Sequence, residues 1–436
     1  MSIYDKASLV QIPSGYKGGT LYSVVPNDAD GDFDFTRAST GTRVNKDGLI
    51  ETIAADTPRL NSPLLNGVVQ DNPTLLLEPS RTNRITDTEG WGGFSEVQAV
   101  LSDNTSITAP DGSTLGIKTL TSSSTTQPRI EWRGIAVPAS ATTYVWSVFV
   151  KKGTTRYVAL SHFSDDTQWA VFDLDNGVIQ DEAGSDVPAK IENYGNGWYR
   201  ISKGATITTG QSTNYFKLTI ATPSSPSVGV SGETVNIWGF QIEIGLYVSS
   251  FIPTTTVGSI TTRSADTCKL ENFANMPTDY PFTVFWQGKI DDINFTQFAF
   301  SILDISSNVK YLGLSFSTTG YLQIHRRNSN YDIDSQTFYM SVGDVLNIAI
   351  AFTSNTTYKC YINGSLIRNE TSGDDVDFDF NDILIGQQRV VSDSATRNQA
   401  SQFMLFNEAL SDIELETITS YTSFNQMAKA LLYTIE

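Results

Sequence analysis

FDFTRASTGTRVNKDGLIETI, residues 33–53, packs a strand signal and a hairpin signal into one short stretch. Phe33 and Phe35 alternate with Asp34 and Thr36, the period-two pattern of a strand with one buried face. Asp47-Gly48 falls between Val44 and Leu49-Ile50, where a tight turn needs residues tolerant of positive φ. Residues 42–44 are therefore expected to pair with residues 49–52. The composition points the same way. Aromatics make up 11% and charged residues only 17% of the 436 residues, which suits strands with polar outer faces better than helices.

Outward from this stretch, the chain carries PRLN at 58–61 and LLLEPSRTN at 75–83. Together with FTRASTGTRVNKDGLIE, these pieces resemble, in order, the opening segment of a group of bacteriophage virion proteins found in tails and fibres. That group reads "FTRAS-T-ATRVN-GLIE", "PRLDY" and "LLLEPQRTN". Residues 1–88 hold many turn formers and short apolar patches, too few to close an independent core. They read as an attachment or assembly segment that lies against something else: the domains that follow, other copies of the chain, or a neighbouring protein.

From Trp91 onward, strand-like runs recur about every ten residues, the clearest at 144–150, 156–163, 168–174, 198–202, 215–220 and 235–244. Lys151-Lys152-Gly153 and Asp175-Asn176-Gly177 read as turns between them, so hairpins in series are expected. Such a series buries one face only, which calls for a second sheet and hence a sandwich or jelly roll over 89–256. NGWYRI (196–201), WGFQIEIG (238–245) and SFIPT (250–254) resemble the carbohydrate-binding-module-like jelly roll that follows "LLLEP-RTN" in the same phage group. TRSAD (262–266) is similar to the "TRAAD" that closes it. Residues 257–270 read as a linker.

A second set of alternating runs occupies 282–288, 298–304, 312–317, 321–325, 345–352 and 357–362, with Asn363-Gly364 turning the last one back. TYKCYING (357–364), ILIG (383–386) and FMLFNEALSDIEL (403–415) resemble concanavalin-like, laminin-G-like sandwiches, which assigns 271–424 to such a domain. Ser411 and Glu414 form a capping-box pattern for a short closing helix, with Ile413, Leu415 and Ile418 available to pack. Residues 425–436 read as a helical tail. The expected fold is all-β: two consecutive β-sandwich (jelly-roll) domains after a hairpin-rich N-terminal segment. A chain starting near Asp266 is expected to fold alone.

Lys and Arg number 29 against 47 Asp and Glu, and the net charge of −18 argues against nucleic acid and anionic membranes as partners. No apolar run approaches the ~20 residues of a membrane helix, and residues 1–10 lack the order of a signal peptide. Cys268 and Cys360 are far apart and read as reduced, packed thiols rather than metal ligands.

The site candidates are few. A Ser-His-Asp or Cys-His arrangement would have to use His162 or His325, both within strand-like runs. Glycosidases of concanavalin-like fold use paired carboxylates on one strand that all face the cleft, and no E-x-D-x-x-E pattern is present. No catalytic residue and no cofactor are assigned, apart from structural Ca²⁺. For that ion, Asp28, Asp30, Asp32 and Asp34 match a calcium loop poorly, and Asp374, Asp375, Asp377 and Asp379, with Asp382, form an acidic cluster. Trp132, Trp169 and Trp198, and Tyr311, Tyr321 and Tyr331, are the aromatics that could stack on sugar rings, with core packing the bland alternative for each.

The resemblance implies a non-enzymatic structural protein of a virion: a fibre, decoration or adhesion subunit assembled in the host bacterial cytoplasm. It would meet other virion proteins through its N-terminal segment and host-surface glycans through lectin-like domains. Homotrimers are common among such appendages. Two alternatives stay open: a glycan-degrading enzyme of concanavalin-like fold, and a purely structural head or tail component.

Overall fold

In the computed structural model, Phe33–Thr36 is a strand with both phenylalanines buried and Asp34 and Thr36 exposed. Gly41–Val44 pairs with Ile50–Ile53 in the expected register, Thr42 opposite Thr52 and Val44 opposite Ile50. Asn45 closes the turn. Its side-chain oxygen accepts from the Asp47 and Leu49 amides (2.9 and 3.0 Å), and Gly48 takes a φ of 79°, which glycine adopts without steric cost. The structure describes residues 3–421, apart from 71, 137, 163–166, 209–213, 255, 290–295, 305–309, 328–330, 342, 372–379 and 389–396, together with Gln426.

Two antiparallel six-stranded sheets form the jelly roll. One runs Phe94–Val97, Arg129–Trp132, Phe216–Ile220, Tyr157–His162, Trp169–Asp173, Val178–Ala183. The other runs Ala99–Asp103, Lys118–Ser122, Thr234–Ile244, Thr142–Lys152, Trp198–Ile207, Val187–Asn193. Their inner faces meet around Trp146, Val148, Leu160, Phe172, Ile201 and Leu218. The expected hairpin about Lys151-Lys152-Gly153 is corrected: Thr142–Lys152 and Tyr157–His162 lie in opposite sheets, so the chain crosses over there. The turn at Asp175-Asn176-Gly177 does join paired neighbours, Trp169–Asp173 and Val178–Ala183.

The second sandwich is built from both ends of the chain. In its eight-stranded sheet, Asn398–Phe406 pairs on one side with Phe282–Lys289 and on the other with Ala7–Gln11 and Thr74–Leu77. In its nine-stranded sheet, Thr267–Leu270 is flanked by Phe33–Thr36 and Asp382–Ile385. Leu9, Leu21, Phe33, Phe35, Leu75 and Leu77 pack in the same core as Trp286, Phe300, Ile350 and Phe403. Residues 266–424 therefore do not hold a full set of sandwich strands. The N-terminal segment lacks a core of its own because it completes this one, so that lack carries no argument for a trimer.

The helix Asp412–Thr419 starts as expected: the Glu414 amide donates to Ser411 Oγ, and the Glu414 carboxylate accepts from the Ser411 amide. Leu415 and Ile418 are buried, but Ile413 is 77% exposed and points away from the sandwich. Apart from Gln426, the expected helical tail lies outside the described residues. No helix among the described residues is long and apolar enough to cross a membrane.

Candidate functional site

Arg37, Arg59, Glu78, Arg263 and Asp266 are all at most 1% exposed and meet at the junction of the N-terminal segment, the jelly roll and the second sandwich. Arg59 bridges the two carboxylates, donating to Glu78 at 2.8 Å and to Asp266. Arg37 reaches Asp266 at 3.1 Å, and Arg263 reaches Glu78 at 3.1 Å. Ser250, at the exit of the jelly roll, donates to Glu78 through its amide (2.8 Å) and its hydroxyl (2.7 Å). The backbones join in as well, the Glu78 amide donating to the Asp266 carboxylate and the Asp266 amide to the Glu78 carbonyl. Charges this deeply buried are tolerable only when so fully paired, since each taken alone would cost several kcal/mol of desolvation.

The pairing decides how Glu78 titrates. Burial pushes its carboxyl up, but Arg263 and Arg59 outweigh burial and hold it well below the usual carboxylate range. A folded-state pKa below the unfolded one contributes stability that is complete above the unfolded value, about 4.3, and is lost as pH falls through the lower folded value. The melting temperature is thus expected to be level between pH 7 and about 5 and to drop steeply in stronger acid. The stability gap between the native chain and a Glu78→Gln variant should shrink over the same interval, as both side chains become neutral. A gap independent of pH would sink the assignment.

Above this clasp, a cleft opens between the two sandwiches as two adjoining cavities of about 280 and 480 Å3. Ile191, Glu192, Lys289 and Arg397 line both. The hairpin Leu64–Leu65/Val68–Val69 forms one wall and is pressed against the jelly roll: a Cβ on Gly67 would lie 2.5 Å from Asn193 Oδ1. Tyr194, on the same rim, is pushed up to about 12 by burial and the nearby Glu192, so its hydroxyl remains a donor at neutral pH. Behind it, Arg81 and Arg397 both contact the ring of the buried Tyr247, at 4.9 and 5.6 Å.

The aromatic candidates divide sharply. Trp132 packs in the jelly-roll core against Phe94, and Trp198 lies in a second cluster with its Nε1 donating to the Thr108 carbonyl. Tyr311 is fully buried beside Phe298 and Leu384, its hydroxyl accepting from Gln388. These three are core residues, not sugar platforms. Trp169 is different: half-buried, it lies with Tyr157 over Ala159 and Val171 on the outer face of its sheet. Its row runs across four strands through Ser161, Lys217 and Glu131. Glu131 is completely buried and is held ionised, burial being outweighed by Arg129 and Arg133. Tyr321 is 41% exposed beside Tyr339 at the sandwich edge, and the Tyr331 side chain lies outside the described residues.

Asp374, Asp375, Asp377 and Asp379 lie outside the described residues, among which no cluster of three or more metal-ligating side chains occurs. Asp382 is buried and accepts from the Asn272 amide, and Asp32 is engaged by the Ser23 amide and hydroxyl. His162 packs on Trp146 and Phe216. His325 hydrogen-bonds Ser315 Oγ through Nε2 at 2.6 Å, and burial lowers its pKa to about 4. Ser315 is fully enclosed, so this pair is a cross-strand contact rather than an accessible nucleophile and base.

No family model matches the chain, and no curated protein matches it. Among solved structures, the chain is similar to the CBM40 of the Ruminococcus gnavus IT-sialidase bound to alpha2,3 sialyllactose, at 17% identity over 34% of this chain and 87% of that one, with a TM-score of 0.31. It is also similar to a mutant of the NanB sialidase from Streptococcus pneumoniae, at 17% identity over 34% of this chain and 26% of that one (TM-score 0.31). A native heptameric SAP-like pentraxin from Limulus polyphemus matches at 16% identity over 34% and 73% (TM-score 0.27).

Proposed function

We propose that this chain is a non-enzymatic structural protein of a bacteriophage virion, a fibre, decoration or adhesion subunit that holds two β-sandwiches out toward host-surface glycans. The observation that carries this reading is where the virion-like sequence pieces meet. FTRAS supplies Arg37, PRLN supplies Arg59, LLLEP supplies Glu78, SFIPT supplies Ser250, and TRSAD supplies both Arg263 and Asp266. All six are members of the buried clasp. What the resemblance shares is therefore the joint that fastens the N-terminal segment and the two sandwiches together. That suits a protein whose role is to present domains in a fixed orientation. The outer sheet face bearing Trp169 and Tyr157 beside a polar row supports sugar contact, since an aromatic face flanked by hydrogen-bonding groups matches a pyranose ring.

The test is incubation of the purified protein with immobilised host surface polysaccharide, combined with antibody labelling of intact virions. Labelled particles and retention without release of reducing ends are expected. Trp169→Ala should weaken retention several-fold while leaving the melting temperature near native, whereas Trp132→Ala should chiefly destabilise the fold. Release of reducing ends would replace the reading with a glycan-degrading enzyme. Neither retention nor release would indicate a purely structural component.

A further inference from the structure

Of the aromatic side chains described, only Tyr22, Tyr321 and Tyr339 stand well into solvent, at 41, 41 and 63% exposure. Two of these three face each other. Tyr321 is paired with Tyr339 where Tyr321–Arg327 runs beside Tyr331–Tyr339, the strand at one margin of the nine-stranded sheet. Their rings are 6.4 Å apart and inclined at 83°, and so form the two walls of an open corner. Leu322 and Ile324 point into the sandwich core, which turns Tyr321, Gln323 and His325 to the outer face of the sheet. Two large exposed rings on an edge strand invite unwanted adhesion, so their presence there calls for an occupant.

The corner is held in place by its own turn. Gly320 takes a φ of 78°, and a Cβ there would lie 3.1 Å from the Tyr339 ring, so glycine lets that ring lie against the turn. Ser317 Oγ accepts from the Thr319 and Tyr321 amides (3.3 and 3.1 Å). The Ser317 amide donates to the Tyr321 carbonyl (2.9 Å) and the Met340 amide to the Gly320 carbonyl (3.1 Å). A corner fixed this way loses little freedom when a ligand arrives. The described groups along this face are neutral: the Ser317 and Thr319 hydroxyls at the turn, Gln323 with Ser315 behind it, and His325, whose pKa burial lowers to about 4. Asp344, the next described carboxylate along the chain, accepts from the Ser341 amide (2.8 Å). Aromatic faces bordered by hydroxyl and amide groups suit the apolar face and the hydroxyls of a pyranose. The net charge of −18 disfavours an acidic polymer.

We propose that Tyr321 and Tyr339 form a second glycan site, on the second sandwich, which takes an uncharged pyranose unit by stacking it on one ring with its edge against the other. This rests on the glycan-binding reading above and adds to the sheet face that bears Trp169. Each chain then meets a polysaccharide-coated surface at two places, one on each sandwich, and the buried clasp sets their relative orientation. Linked contacts of this kind gain through effective concentration, so two weak contacts give firm retention.

The experiment is retention of the full-length protein on immobilised host surface polysaccharide, with the melting temperature of every variant measured alongside. Replacing both rings, Tyr321→Ser with Tyr339→Ser, should lower retention roughly tenfold at a near-native melting temperature. Tyr321→Phe with Tyr339→Phe, which keeps both ring faces, should be retained as the native chain is. If the double serine variant does not fold, Tyr339→Ser alone, at the more exposed position, decides by the same comparison. Native-level retention of a folded serine variant overturns the proposal, and so does a loss in the phenylalanine variant as large as in the serine one. A difference between the native and serine chains that vanishes in about 1 M salt would make the contact electrostatic and overturn it. A native oligomer that the serine variant dissociates, by light scattering, would make the corner a contact between copies and overturn it too. Those outcomes leave the Trp169 face untouched, whereas no retention of the native chain would remove the glycan reading itself.

Discussion

A chain beginning at Asp266 is expected to give no cooperative thermal transition, although it carries most strands of the second sandwich. It loses Ala7–Gln11 and Thr74–Leu77, which together pair along one edge of Asn398–Phe406, and Phe33–Thr36, which pairs with Thr267–Leu270. It also loses six fully buried apolar side chains, Leu9, Leu21, Phe33, Phe35, Leu75 and Leu77. At ~1.5–3 kcal/mol for each buried side chain of this size, the deficit is on the order of 10 kcal/mol, comparable with the whole net stability of an ordinary domain. Broad melting by circular dichroism, with dye binding to exposed apolar surface, is the expected readout. Adding residues 1–88 as a separate polypeptide should restore part of the transition. A sharp transition within a few degrees of the full-length protein's would show that the N-terminal strands are dispensable.

The largest effect of a single substitution is expected at Arg59. Replacing it with alanine leaves Glu78 and Asp266, both without solvent access, short of the one guanidinium that bridges them. Breaking one partner out of a buried ion network costs ~3–5 kcal/mol, which lowers the melting temperature by roughly 10 °C. Lys118→Ala is the matched control. Its partner Asp103 is 79% exposed, and a pair so open to water contributes at most about 1 kcal/mol. Chemical denaturation of the two variants beside the native protein measures both. Equal, small losses would mean that water enters the clasp and solvates the abandoned carboxylates.

Much of this was legible in the residues. Phe33 and Phe35 declared their strand because alternation depends on local geometry alone, and Asn363-Gly364 declared its turn because few residues accept positive φ, here 47° and 80°. Ser411 and Glu414 likewise specify the start of the closing helix within four residues. Ile413 shows the limit. At ~100° per residue it stands about 200° from Leu415 and about 140° from Ile418, so once those two face the sandwich it must point to solvent, and which face docks is set by the sandwich.

The clasp marks the same boundary more plainly. Arg37, Arg59, Glu78, Arg263 and Asp266 fall within FTRAS, PRLN, LLLEP and TRSAD, yet nothing in their spacing says that they touch, because up to 229 positions separate the partners. The same holds for Trp132, Trp169 and Trp198, three tryptophans in similar strand-like runs. Their fates differ because the two faces of a strand look alike in sequence whenever both are apolar or mixed. By itself, then, the sequence determined what is local: an all-β chain, the positions of most strands, the turns and the helix cap. Only the tertiary structure decided which strands share a sheet, that the chain's first strands complete its last domain, and that distant arginines and carboxylates are buried together beneath the cleft between the sandwiches. Backbone preferences act between neighbours, whereas strand partnership and burial are settled by contacts among residues far apart in the chain.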